Sequence, residues 1–471
     1  MSFVSLVFFL FLVVVILVHY LLPHRFRYLF LLAASYLFYG FVNPWLLFLI
    51  AGVTLVAYLF PLGMKRFEKA RKAFLWMAII LILGCLFVFK YLDFTIQSVI
   101  KISNLLGSSW RADPLSIILP VGISFYVFQA LSYVIDVYRG RTEPERNIGY
   151  FALFISFFPQ LVAGPIERFD RLMPQLKAER KFDADNLAEG AKYMVSGYLK
   201  KVVIADLLAL FINPVYNDLP SHSGGAILVA TVLFAFQVYG DFSGYSDIAK
   251  GTAKMLGIDL MENFDSPYLA SSPRDFWRRW HISLSRFFGD YVYIPLGGSK
   301  KGKLREVRNL LIVFLLSGLW HGADAKYIVW GALHALYAIV EALLPRRKQK
   351  SLSRRIIGGI LTFLLVDFAW IFFRANSLSD AFIAIARIFT AWGEGVRMGA
   401  LLSGLSCAQV LLGILGIASC RYIPKIQCKT DLNSENAFAA LSLLFAVMAI
   451  ALAWVSVYQG GDGSQFLYFQ F

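Results

Sequence analysis

The sequence predicts an all-α, polytopic integral membrane protein, and three observations carry that reading. Hydrophobic residues make up 58% of the 471-residue chain and charged residues only 16%, whereas a soluble domain needs about 25% charged residues to solvate its surface. The apolar residues come in long blocks, many near the ~20 residues a helix needs to cross a hydrocarbon core about 30 Å thick. The blocks also lack the alternation of a membrane β-barrel.

Taken in order, candidate spans cover 3–22, 28–44, 46–63, 74–92, 115–137, 225–240, 325–344, 355–374, 400–420 and 437–458. Shorter or more polar segments at 148–163, 190–213 and 309–320 leave the count at about 10–12. The first block, MSFVSLVFFLFLVVVILVHYLL, has no basic leader and no small-residue cleavage site, so it reads as a retained span. Residues 164–222 mix charges with short apolar runs and read as interfacial helices. SFFPQLVAGP, with Pro159, Gly164 and Pro165, reads as a re-entrant hairpin. With no internal repeat or linker, residues 1–471 are expected to form a single transmembrane domain.

Basic loops set the orientation. Lys65, Arg66, Lys69, Arg71 and Lys72 face one acid, Glu68. Lys300, Lys301, Lys303, Arg305 and Arg308 face Glu306, and residues 346–355 carry six bases and no acid. All three loops are expected on the cytoplasmic side, which puts the PHRFR turn inside and the N-terminus outside. The net charge of +15 is therefore an orientation signal, and no nucleic-acid partner is expected. Cys85, Cys407, Cys420 and Cys428 lie in or beside apolar blocks without a CxxC pair, which argues against a disulfide framework or a zinc site.

Two histidines stand out. About twelve residues lead from the basic loop at Arg308 to Trp320, so a helix places His321 roughly 18 Å into the membrane. Gly318 and Gly322 bracket it and permit a bend or close packing. A buried imidazole tends to stay neutral and can act as a general base; it can equally be a packing histidine bonded to a carbonyl. His281 lies in SSPRDFWRRWHISLSRFFGDYVYIPLGG, where Ser272 caps, Pro273 starts and Asp275 supports an amphipathic helix carrying Phe276, Trp277, Trp280, Leu284, Phe287, Phe288 and Tyr291 on one stripe. Here an ordinary interfacial helix is the competing reading. Its arginines suit anionic lipid or a phosphate-bearing donor.

Asp241 and Tyr245, in DFSGYSD after the span 225–240, offer a carboxylate for a catalytic histidine or an arginine, or else a cap for the next helix. Asp206 and Asp367 sit in apolar runs and need partners. His334 reads as structural, and His19, His24 and His222 as span-end or loop residues. His281 and His321 lack a carboxylate set at ligand spacing, so no metal is expected.

The blocks PVGISFYVFQALSYVIDVYRG, FISFFPQLVAGPIERFDRLMPQL, DFSGYSDIAKG, ENFDSPYLASSPRDFWRRWHISLSRFFGDYVYIPLGG and RNLLIVFLLSGLWHGADAKYIVWGALH resemble, in this order, the membrane-bound O-acyltransferases (MBOAT). They look closest to the bacterial branch of the alginate O-acetylation protein AlgI, over a core of about 115–345, with the closing FLYFQF also similar. A sister branch resembles the D-alanyl transfer protein DltB.

The resemblance implies that His321 is the catalytic histidine and His281 the second histidine of the bacterial branch. It implies transfer of an acyl group, expected to be acetyl, from a cytoplasmic thioester, expected to be acetyl-CoA as co-substrate, toward hydroxyls of an exported polysaccharide. An outer-face acetyltransferase or acceptor protein is the expected partner, membrane lipid the solvent, and the bacterial inner membrane the location. No bound cofactor is expected. In that scheme His321 removes the hydroxyl proton, and His281 orients the acyl carbonyl or donates to the oxyanion. Asp241, Tyr245, Arg279, Trp280, Trp320 and Asn309 support them, and Arg278, Lys300 and Lys301 receive the polyanionic donor. Acyl transfer to peptidoglycan or teichoic acid, a flippase for lipid-linked sugar and a non-catalytic export scaffold remain the rival readings.

Overall fold

Helices form where the apolar blocks are, and their ends follow from glycine, proline and side-chain caps. The computed structural model describes residues 1–396 except 42, 116, 163 and 346–350. The expected spans 400–420 and 437–458, FLYFQF and Cys407, Cys420 and Cys428 lie outside the described residues, as do Arg346, Arg347, Lys348 and Lys350. The regular elements among the described residues are all helices, with a single isolated bridge between His222 and Val396. Four of their helical runs are long and apolar enough to cross a membrane: Leu46–Arg66, Glu68–Leu105, Gly224–Met255 and Leu352–Arg374.

The chain divides into two compact units. The first comprises Met1–Gly190 and Thr252–Met261. It holds α1 (Leu6–Leu21), α2 (His24–Gly40), α3 (Leu46–Arg66), α4 (Arg71–Leu86), α5 (Leu92–Leu105), α6 (Ile123–Tyr138), α7 (Ile148–Ser156), α8 (Phe158–Leu161) and α9 (Phe169–Lys177). A π-helical turn, Phe87–Tyr91, joins α4 to α5. Only 28% of the apolar window of α3 and 22% of that of Glu68–Leu105 is buried, so Leu55, Leu59, Trp76 and Ile80 are left for lipid.

Helix α6 begins at Ile123, later than the expected 115. Pro120 lacks an N–H, and Gly122 turns the chain at φ +75°, where a Cβ would lie 2.4 Å from the Leu161 carbonyl oxygen. The expected break at SFFPQLVAGP is present between Ser156 and Phe158, because Pro159 removes a donor and crowds the preceding turn. The freed groups are satisfied from the side. The Phe154 carbonyl accepts from Gln129 Nε2 at 2.8 Å and Gln160 Nε2 at 3.0 Å, and the Phe158 N–H donates to Ser35 Oγ at 3.1 Å. Broken backbone enclosed by protein in this way is tolerated in a membrane.

The second unit takes Ala191–Gly251 and the chain from Glu262 on. α10 (Ala184–Tyr198) enters it and passes through a π-helical stretch, Leu199–Ala205, into α11 (Asp206–Asn217). There follow α12 (Gly224–Met255), α13 (Pro273–Arg279), α14 (Ile282–Phe288), α15 (Lys303–His321), α16 (Ala325–Leu343), α17 (Leu352–Arg374) and α18 (Leu378–Thr390). Its core is built on Trp280, Trp330 and Trp370 with Phe234, Phe276 and Phe373.

Helix α12 corrects one expectation. DFSGYSD neither follows the span 225–240 nor caps a new helix, but lies inside a helix of 32 residues. Its polar side chains are bonded sideways to neighbouring segments, so the helix has no reason to stop. The Asp247 carboxylate accepts from Lys200 Nζ at 2.6 Å and Ser196 Oγ at 2.9 Å, and Asp241 accepts from Lys201 Nζ at 2.5 Å. Gly197 and Gly244 let α10 and α12 touch, since a Cβ on either would fall within 3 Å of the other's carbonyl oxygen.

Candidate active site

His321 is the last residue of α15 and is 2% exposed. The helix stops there because the next residue, Gly322, is extended, and Asp324 caps α16 by accepting from the Lys326 N–H at 2.9 Å. The two helices return on each other in close contact. A Cβ on Gly318 would lie 2.2 Å from the Tyr327 carbonyl oxygen, and one on Gly331 2.4 Å from that of Phe314. The His321 ring is thereby held edge-on to three aromatic rings, with centroids 5.0 Å from Trp320, 4.9 Å from Trp330 and 5.4 Å from Phe373.

The single amphipathic helix expected through His281 is two helices. The cap is as expected: Ser272 Oγ accepts from the Asp275 N–H at 3.3 Å and Pro273 takes the first position. The helix then ends at Arg279, and His281 adopts φ +43°, ψ +56° before α14 begins. A non-glycine residue in the left-handed region carries a backbone cost, and such residues gather at functional sites. The kink withdraws His281 from the helix stripe and buries it completely. Burial pushes its pKa down to about 3, so the imidazole is neutral at physiological pH. Its ring lies 4.6 Å from Phe242 of α12 and 5.6 Å from Trp320.

Both histidines therefore pack against Trp320. Trp280 precedes His281 and is stacked on Phe276 at 5.5 Å and against Trp370 at 5.2 Å. His334 is in the same cluster, 4.7 Å from Trp330, with its Nδ1 accepting from Trp277 Nε1 at 3.3 Å, as suits a structural histidine.

Asp241 accepts from Lys201 Nζ at 2.5 Å, a lysine that the sequence reading had not singled out. Lys201 Nζ also donates to Asp206 Oδ1 at 2.8 Å, which supplies the partner Asp206 needed. Tyr245 faces the same ammonium, 5.6 Å from its ring centroid. Asp367, on α17, is buried with the core. Arg279 spends its charge on Asp275 at 3.0 Å and Asp265 at 3.7 Å.

Arg278, Lys300 and Lys301 are exposed. Asn309 stands apart: twelve residues before His321 on α15, it is about 18 Å away along the helix. There its Nδ2 donates to the carbonyls of Leu296 and Gly298 at 3.3 and 3.0 Å and ties down the basic loop.

Sequence reading passed over two residues. Lys201 was legible as a lysine inside an apolar run. Asn263, in ENFDSPY, offered no signal, yet its Oδ1 lies 3.2 Å from His281 Nδ1.

Comparison with known proteins places the chain in a family. The profile of the MBOAT, membrane-bound O-acyltransferase family, matches residues 146–378, a stretch that contains both histidines. The "Probable alginate O-acetylase AlgI" of Pseudomonas putida is 37% identical, over 98% of each chain. The chain belongs to the membrane-bound O-acyltransferase family. Within it, homology runs to the AlgI branch. The "Peptidoglycan O-acetyltransferase" of Helicobacter pylori is 37% identical over 75% of this chain and 72% of its own. The "Teichoic acid D-alanyltransferase" of Bacillus subtilis is 30% identical over 55% and 70%. Family membership makes this chain an acyltransferase.

Proposed function

We propose that this acyltransferase moves an acetyl group from cytoplasmic acetyl-CoA to a hydroxyl destined for an exported polysaccharide, alginate or a similar uronate polymer. The observation that carries the proposal is the pair of buried imidazoles sharing Trp320 at the junction of α13–α14 with α15–α16. A thioester is already activated, so catalysis reduces to holding a hydroxyl against the acyl carbonyl and removing its proton. The hydroxyl oxygen attacks the carbonyl carbon as a His321 nitrogen accepts the proton. Collapse of the tetrahedral intermediate expels the thiolate, which recovers that proton and leaves as CoA. His281 orients the reacting groups from its place beside the same indole.

Exposed Arg278, Lys300 and Lys301 suit the phosphates of the donor. The full-length similarity to a probable alginate O-acetylase supports the polysaccharide acceptor, reached through an outer-face partner protein. On this reading the protein lies in the bacterial inner membrane with its N-terminus outside. The peptidoglycan O-acetyltransferase at equal identity favours glycan hydroxyls generally, with peptidoglycan as the second acceptor.

The test replaces the resident O-acetylase of an alginate-producing host with this chain and measures ester-bound acetate on exported polymer. The wild type should restore acetylation and His321→Ala should not. Polymer that stays unacetylated with stably expressed wild type, beside acetylated peptidoglycan, would replace the first acceptor by the second.

A further inference from the structure

The environment of His281 goes beyond the reading above and bears on what that residue can do. Asn263 is 2% exposed and makes four contacts at the start of α14. Its backbone carbonyl accepts from the Ile282 N–H at 2.9 Å. Its side-chain Oδ1 accepts from the Ser283 N–H at 3.2 Å and from Ser283 Oγ at 2.9 Å, and it faces His281 Nδ1 at 3.2 Å. The Ser283 backbone N–H can only donate. The atom it meets must therefore be the amide oxygen, which fixes the orientation of the Asn263 side chain. An amide oxygen can only accept, so His281 Nδ1 must carry a hydrogen. In a neutral imidazole the other nitrogen, Nε2, then holds the lone pair.

We infer that Asn263 is a positioning residue that locks His281 in its left-handed backbone turn and in the Nδ1–H tautomer, so that Nε2 meets the substrate as a hydrogen-bond acceptor. This rests on the acyltransferase reading for its purpose and changes one part of the expected scheme. An Nε2 lone pair cannot donate to an oxyanion; it can receive the hydrogen of the acceptor hydroxyl and aim its oxygen at the thioester carbon. His334 provides the contrast within the same cluster, since its Nδ1 accepts from Trp277 and its hydrogen is therefore on Nε2. The ionisable groups on elements packed around His281 include His321 at the end of α15, the pairs that Asp241 and Asp247 of α12 make with Lys201 and Lys200, and Glu262 and Asp265 beside Asn263. Its own segment adds Asp275, Arg278, Arg279, Arg286 and Asp290.

The direct test is ¹⁵N NMR of histidine-labelled protein in lipid nanodiscs, with the His281 resonances identified by their loss in His281→Ala. A protonated Nδ1 and an unprotonated Nε2 are expected. The reverse pattern overturns the inference whatever the enzyme does.

Asn263→Ala risks unfolding the turn, so Asn263→Asp is the informative variant. A carboxylate keeps every acceptor contact but adds a charge that favours imidazolium, and it should raise the acid limb of the pH–rate profile by about 1–3 units. A capping role alone would leave that profile where it is, and an unmoved profile with full activity overturns the inference. The tautomer is read without substrate. The expected pattern in a protein that turns over no thioester would support the assignment and defeat the acyltransferase reading instead.

Discussion

The indole of Trp320 meets the imidazole of His281 edge-on, with centroids 5.6 Å apart, and it is the same indole that flanks His321 at 5.0 Å. One side chain thus contacts two polar rings, one from the turn before α14 and one from the end of α15. Trp320→Ala should leave a cavity beside both, cost about 3–5 kcal/mol in stability, and lower transfer about 100-fold through misplacement of the reacting groups. Trp320→Phe should lose far less on both counts. Thermal unfolding and turnover, measured on both variants, check this.

The α15–α16 contact depends on the absence of side chains at Gly318 and Gly331. Gly318→Ala would place a methyl 2.2 Å from a backbone oxygen that cannot swing away, forcing the helices apart one turn before His321. The expected cost is about 1–3 kcal/mol, seen as a lower Tm, with a fall in turnover that adding donor does not repair.

Lys201 holds two buried carboxylates, Asp206 and Asp241, with all three side chains 5% exposed or less. Lys201→Met should remove their shared cation and destabilise the protein by about 3–5 kcal/mol, as removal of one partner of a buried ion pair does. Adding Asp206→Asn and Asp241→Asn should recover most of the loss. Detergent-solubilised yield and Tm across the series separate a structural ion cluster from one needed for turnover.

Glu167 supplies a pH prediction. It lies outside the spans, is fully buried, and accepts from the Met261 N–H. Burial raises its carboxyl pKa to about 7, against the opposing pull of Arg171. A pKa raised in the folded state means that the folded protein binds this proton more tightly than the unfolded chain does. The resulting stability is fully present below the ordinary carboxyl value of about 4.3 and is lost as pH rises through about 7. Glu167→Gln should accordingly exceed the wild type in Tm at pH 8.5 and converge with it near pH 5. A constant difference across that range would count against the burial penalty.

The legible part of this fold lies in properties that a span carries in itself. Block length and charge placement were enough for the helices Leu46–Arg66 and Leu352–Arg374, and Pro159 was enough for the break after Ser156. What escaped depends on partners distant in sequence. DFSGYSD looks like a helix end until Lys200 and Lys201 arrive from another segment to bond its carboxylates. RRWHISLS has an unbroken amphipathic stripe, and only the capture of Ile282, Ser283 and His281 by Asn263 breaks it. Asn309 shares a helix with His321, but twelve residues of rise carry it away from the histidine cluster. The two histidines were readable from motif, their common neighbour Trp320 from its place beside His321, and Asn263 from nothing local.

The central claim is that His321 drives acyl transfer from a thioester. Its most direct test is release of CoA from acetyl-CoA by purified protein in proteoliposomes, with a glycan acceptor and outer-face partner supplied, comparing wild type with His321→Ala. The account predicts acceptor-dependent release by the wild type and loss of at least 100-fold in a variant that is still folded and inserted. Equal release by the two proteins would contradict it.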